Sequence, residues 1–88
     1  MHALRLGMSP TIMTIGPYRF YFWAQDGEER EHVHIDTGKG EVKFWLMPDV
    51  ELARADRSVK KHVITKIEKL VRQHQGELVV AWEDFFGT

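Results

Sequence analysis

The stretch Glu31-His32-Val33-His34-Ile35-Asp36-Thr37-Gly38-Lys39-Gly40-Glu41-Val42-Lys43-Phe44-Trp45 decides how the rest of the chain is read. Apolar and polar residues alternate on both sides of Thr37-Gly38-Lys39-Gly40, the pattern of two half-buried strands joined by a turn. Pairing Thr37 with Gly40, or closing a longer loop at Asp36 and Glu41, gives one and the same register. Val33 then faces Phe44 and Ile35 faces Val42, while on the opposite face His34 sits beside Lys43 and His32 beside Trp45. The first face is core. The second carries two imidazoles, an ammonium and an indole.

Working outward, residues 11–15 are short and β-branched, and residues 18–24 are dense in aromatics, which favour sheet. Gly16-Pro17 between them is a turn signal. Tyr18, Phe20 and Phe22 share one side of the aromatic strand, and Arg19, Tyr21 and Trp23 share the other. Asp26-Gly27 opens a charged stretch expected to be a mobile loop. Pro48-Asp49 breaks the chain again, and residues 50–53 form a short fifth strand or a turn.

The second half has helical spacing. Ser58 is the expected N-cap and Gly76 the residue just past the end. Val59, Val63, Ile64, Ile67, Leu70 and Val71 fall within one arc of about 140°. Arg57, Lys61, Lys66, Lys69 and Arg72 lie on the other side and give the helix a basic outer face. Residues 77–86 read as a second helix with Leu78, Val79, Trp82, Phe85 and Phe86 apolar. The fold class is therefore α+β: an antiparallel β-meander of four or five strands followed by two α-helices packed on one sheet face.

The chain has 88 residues, a net charge of −1 and no cysteine. One compact domain fits and a second does not. Without cysteine there is no disulfide framework, thiol nucleophile or thiolate metal site. No apolar run approaches a membrane span, residues 1–7 lack the features of a signal peptide, and a cytoplasmic location is expected. Residues 8–88 are taken as the domain, with residues 1–7 an extension expected to be disordered or not native.

Charge is divided along the chain. Residues 24–51 carry eight acids and three bases, and residues 57–75 carry six bases and one acid. A domain split in this way suits a charged partner.

Three kinds of chemistry follow from the hairpin's polar face. If Arg19, Tyr21 and Trp23 line up with His32, His34, Lys43 and Trp45, the patch mixes cations with flat rings, as RNA-binding surfaces do. Arg19 and Lys43 would hold phosphate and Tyr21, Trp23 and Trp45 would stack bases. Within that patch His32 and His34, taken as surface residues, could act as general acid and base with Lys43 as the phosphate holder, which makes these three the candidate catalytic residues. The His-x-His pair could also bind a metal, but two ligands are not a site, and Asp36, Glu41, His62 or His74 would have to supply a third. No metal set or cofactor is assigned on sequence grounds. The basic helix face is an alternative nucleic-acid or partner surface. The aromatic strand carries more apolar surface than one small sheet face easily covers, so a homodimer is expected.

The order of features resembles a family of small bacterial proteins catalogued as domain of unknown function 4160. The residues that carry the resemblance are Ser9-Pro10-Thr11-Ile12, Gly16, Tyr18-Arg19-Phe20-Tyr21-Phe22, Asp26, Glu31-His32-Val33-His34-Ile35, Lys43-Phe44-Trp45-Leu46, Trp82 and Phe85-Phe86. Where that family typically has two prolines before His-x-His, this chain has Arg30 and Glu31. The resemblance implies a toxin-like member of a two-gene module, partnered by a small antitoxin-like protein from the neighbouring gene; binding or cleavage of RNA is expected from the composition of the hairpin's polar face. It also implies that Tyr18, Phe20, Tyr21, Phe22, Asp26, His32, His34, Lys43 and Trp82 are its distinctive positions.

Overall fold

A computed structural model describes residues 11–87; residues 1–10 and 88 lie outside the described residues, as does the expectation about residues 1–7. Five strands, β1 (Thr11–Ile15), β2 (Tyr18–Tyr21), β3 (His32–Asp36), β4 (Glu41–Trp45) and β5 (Glu51–Ala55), form one antiparallel sheet in sequential order. Two helices follow, α1 (Lys61–Gln73) and α2 (Gln75–Phe86). The fold class is the one read from the sequence, with five strands.

The hairpin has the expected register: His32 pairs with Trp45, Val33 with Phe44, His34 with Lys43 and Ile35 with Val42. Slipping it by one residue would turn Val33, Ile35, Val42 and Phe44 out of the core, and all four are completely buried. Gly38 takes the left-handed conformation at φ 87° that lets the turn close. Tyr18, Phe20 and Phe22 join the same core face, and α1 and α2 cover it with Ile67, Val71, Leu78 and Trp82. Tyr21, on the opposite face, is buried as well. Of the aromatic strand, Tyr18, Phe20, Tyr21 and Phe22 are thus buried within the chain and Trp23 is half-buried.

Three local expectations are corrected. The charged stretch after β2 is a 3-10 helix, Ala24–Glu28, with Asp26 buried at its centre. Its spacing has no amphipathic period to read, because a single short turn shows none. Helix α1 starts later than expected: Lys60 is the N-cap and no side chain caps it, so Ser58 lies in the preceding turn. Gly76 does not end α1. The break falls two residues earlier at His74 (φ −110°, ψ 16°), and Gly76 sits within the first turn of α2. His74 there bonds Glu77, 2.5 Å away, so the junction is held by side-chain chemistry where a terminating glycine was expected.

Ile67 is fully buried at the centre of α1's apolar arc. Ile67→Ala should cost about 2–5 kcal/mol in urea unfolding and Ile67→Val about 1 kcal/mol. Equal small losses for the two would show that α1 is not packed as described.

Candidate functional site

The polar face of the hairpin is assembled as the sequence suggested, and then covered. Tyr21 pairs with His34 across β2 and β3, and the two rings stack at a centroid distance of 5.3 Å. Trp23 meets His34 edge-on at 6.5 Å, and Trp45 meets His32 edge-on at 5.6 Å. From α2, Trp82 reaches His32 at 5.1 Å. The chain has three tryptophans, and all of them wall the histidine pair. The expectation of two surface histidines is corrected: His32 is 0% exposed and His34 5%. The 3-10 helix closes over them because the chain leaves the end of β2 at Phe22 and Trp23 and brings Asp26 back onto the hairpin.

That helix delivers a carboxylate. Asp26 Oδ2 accepts the backbone N–H of Trp23 at 2.7 Å and lies 3.1 Å from both His34 Nε2 and His32 Nε2. The far nitrogen of each ring is already committed. His32 Nδ1 donates to the Arg30 carbonyl at 2.8 Å, and His34 Nδ1 donates to Glu41 Oε2 at 2.5 Å. These two bonds leave Nε2 as the nitrogen of each ring that faces Asp26. His32 Nε2 is buried and has no hydrogen-bond partner. Asp26, His32 and His34 form a group whose ligand atoms all lie within 4.8 Å of one another.

Charge sets the character of the centre. Burial by itself would raise the Asp26 pKa, but the two imidazoles and the Trp23 amide outweigh it and hold the carboxyl well below its ordinary range. The Tyr21 hydroxyl is pushed up, first by burial and then by its hydrogen bond to the Glu41 carboxylate. Glu41 therefore receives both His34 and Tyr21 at the outer edge of the cluster.

The remaining sequence candidates fall around or away from this centre. Lys43 lies over Trp45 at 4.6 Å and donates to Glu29 at 2.9 Å, which lowers the Glu29 pKa. Arg19 lies over Tyr21 at 4.3 Å and pairs with Asp36. Of the four third ligands considered, Glu41 touches His34 on the nitrogen facing away from Asp26, and Asp36, His62 and His74 are elsewhere. The third member is Asp26, which the family resemblance singled out and ligand spacing did not. A readable signal existed: Asp26 stands three residues after Trp23, the spacing at which a carboxylate returns to a backbone N–H. Lys61, Lys66, Lys69 and Arg72 are exposed on α1 as expected, and Arg72 is held by Glu68 and the Val50 carbonyl; Arg57 is exposed too but lies in the turn before α1, because the helix starts at Lys61.

Fold and cluster together define a small α+β domain with a buried carboxylate–imidazole centre. Over residues 18–83 the chain matches the family described as a domain of unknown function, DUF4160, and it belongs to that family. The matched span contains the whole cluster. No curated protein and no solved structure matches the chain. Among the described residues no helix is long and apolar enough to cross a membrane.

A carboxyl whose pKa is lowered by folding adds stability above its unfolded value, near 4, and that stability is lost as pH falls toward the folded value. Unfolding free energy should therefore decline below about pH 4, and Asp26→Asn should flatten that limb of the curve. An unchanged acid limb in Asp26→Asn would show that the carboxylate is not held as described.

Proposed function

We propose that this domain binds a divalent transition-metal ion through Asp26, His32 and His34. The observation that carries the reading is the buried, unpartnered Nε2 of His32, facing a carboxylate while its ring's other nitrogen is occupied. Both Nε2 atoms converge on one carboxylate oxygen in a dry site, and a cation among the three would be ligated by all of them in place of the ring protons that Asp26 otherwise attracts. Ligand atoms 2.0–2.1 Å from a tetrahedral ion would stand roughly 3.3 Å apart, and the two nitrogen-to-carboxylate separations here are 3.1 Å. Two nitrogens and one oxygen suit zinc, cobalt, nickel or iron(II) better than magnesium or calcium. Buried on all three ligands, the pair is read as part of a ligand set, and an acid–base role on RNA would need the 3-10 helix to lift.

The tryptophans around the histidines make the test direct. Cobalt(II) should quench tryptophan fluorescence saturably, zinc should compete, and magnesium and calcium should do neither. His32→Ala should abolish the effect, and Asp26→Asn should weaken binding by about 10-fold or more. At one hundred times its dissociation constant zinc should add about 2.7 kcal/mol to stability. Absence of saturable quenching at millimolar cobalt would refute the reading and leave the cluster a structural ion-pair network.

A second reading concerns partners. The toxin-like role, with a small antitoxin-like partner from the neighbouring gene, is supported by the outer face of α1. Lys61, Lys66 and Lys69 are exposed there without a side-chain partner among the described residues. Capture of the co-expressed neighbour should be lost in the double variant Lys66→Glu, Lys69→Glu and should weaken with salt. Capture that ignores both would exclude this face as the contact.

A further inference from the structure

At the other end of β3 from the metal centre lies a cavity of about 310 Å³ between two hairpin turns and the start of α1. Tyr18, Val59 and Val63 form its apolar wall, and Lys39, Lys60 and His62 stand at its rim. These three bases come from three segments: the β3–β4 turn, the link into α1, and the first turn of α1. No carboxylate lines the cavity, and none of the three has a side-chain partner among the described residues. Arg30, Lys43, Arg54 and Arg72 are by contrast paired with Glu51, Glu29, Asp56 and Glu68, while Lys61, Lys66 and Lys69 on the outer face of α1 share the unpaired state of the three cleft bases among the described residues.

Two further features adjoin the same space. Tyr18 is 8% exposed, and its hydroxyl has no hydrogen-bond partner among the described residues. Helix α1 opens on the same space without a side-chain cap, so the first-turn amides of Lys61 and His62 lack intrahelical acceptors. The walls are pre-formed. Thr37 bonds Gly40 through both its amide and its hydroxyl, and a Cβ at Gly40 would collide with the Ser58 hydroxyl. A rigid apolar wall with donors and cations at one side is the layout of a small-ligand pocket.

We propose that this cleft binds a phosphomonoester attached to a flat ring, a ligand of the nucleoside monophosphate class. The ring lies against Tyr18, Val59 and Val63. The phosphate meets Lys39, Lys60 and the first turn of α1, and the Tyr18 hydroxyl supplies a donor. The assignment does not depend on metal at Asp26.

The test is titration of the full ¹⁵N-labelled chain, followed by amide shifts. Adenosine monophosphate should give saturable shifts at Thr37, Lys39, Lys60 and His62. Inorganic phosphate should shift the same amides with weaker affinity, and adenosine should bind more weakly still. The double variant Lys39→Glu, Lys60→Glu should lose at least about tenfold in affinity. Tyr18→Phe should lose about threefold while leaving the far-UV spectrum unchanged. No saturable shift would overturn the proposal, as would equal shifts with sulfate at matched ionic strength. Tighter binding of a 5′-phosphorylated RNA tetranucleotide would overturn the small-molecule assignment in favour of a strand end.

Discussion

One oxygen, Asp26 Oδ2, ties together parts of the chain that are far apart in sequence. It takes the Trp23 amide and faces the Nε2 atoms of His32 and His34, so the 3-10 helix is anchored to the middle of the sheet by a single carboxylate. The constraint spreads from there. Gly27, next in sequence, packs so closely on Phe86 that a Cβ would come within 2.6 Å of its ring. Phe86 in turn packs on Trp82 at 4.3 Å, and Trp82 returns to His32. The end of α2, the 3-10 helix and β3 close a ring around one buried charge. A charge left dry and uncompensated would cost several kcal/mol, so whatever neutralises Asp26 also holds this ring shut.

What could be read from the sequence, and what could not, divides along physical lines. The β3–β4 register was legible to the residue because one face of the hairpin is fully buried. Alternation then leaves a single pairing that keeps Val33, Ile35, Val42 and Phe44 inside. The α1 arc was legible for the same reason at a different period. The lid was not. A five-residue 3-10 helix has no repeat to detect, and Asp26-Gly27 has the composition of an exposed turn. Reading it as a loop left His32 and His34 at the surface and sent the search for a third ligand to Asp36, Glu41, His62 and His74. The end of α1 was misplaced because glycine is a strong but not obligatory stop. Here His74 adopts the non-helical angles, and Gly76 remains inside a helix at an exposed position where no neighbour opposes it.

The charge division along the chain has a structural counterpart that the totals did not show. Acids of the sheet segment are largely matched in place: Asp36 to Arg19, Glu41 to His34 and Arg54, Glu29 to Lys43 and Glu51 to Arg30. The bases of the α1 segment are not, with Arg72–Glu68 the ion pair there among the described residues. A chain with a net charge of −1 therefore presents a positive surface on one side, made of cations that no carboxylate screens.

The two candidate sites sit at opposite ends of β3. His32 and His34 belong to its first half, and Thr37 at the cleft follows its last residue, so roughly 10–17 Å of extended chain separates them. That distance exceeds the range over which substitutions usually couple, and no side chain is shared between the sites. The independence has a use. A variant at the cleft that disturbed the Asp26 cluster, or a variant of the cluster that disturbed the cleft, would be reporting damage to the sheet between them. Each site is thus the folding control for the other. The sheet itself, whose register rests on four buried residues, is the rigid element that lets both be judged separately.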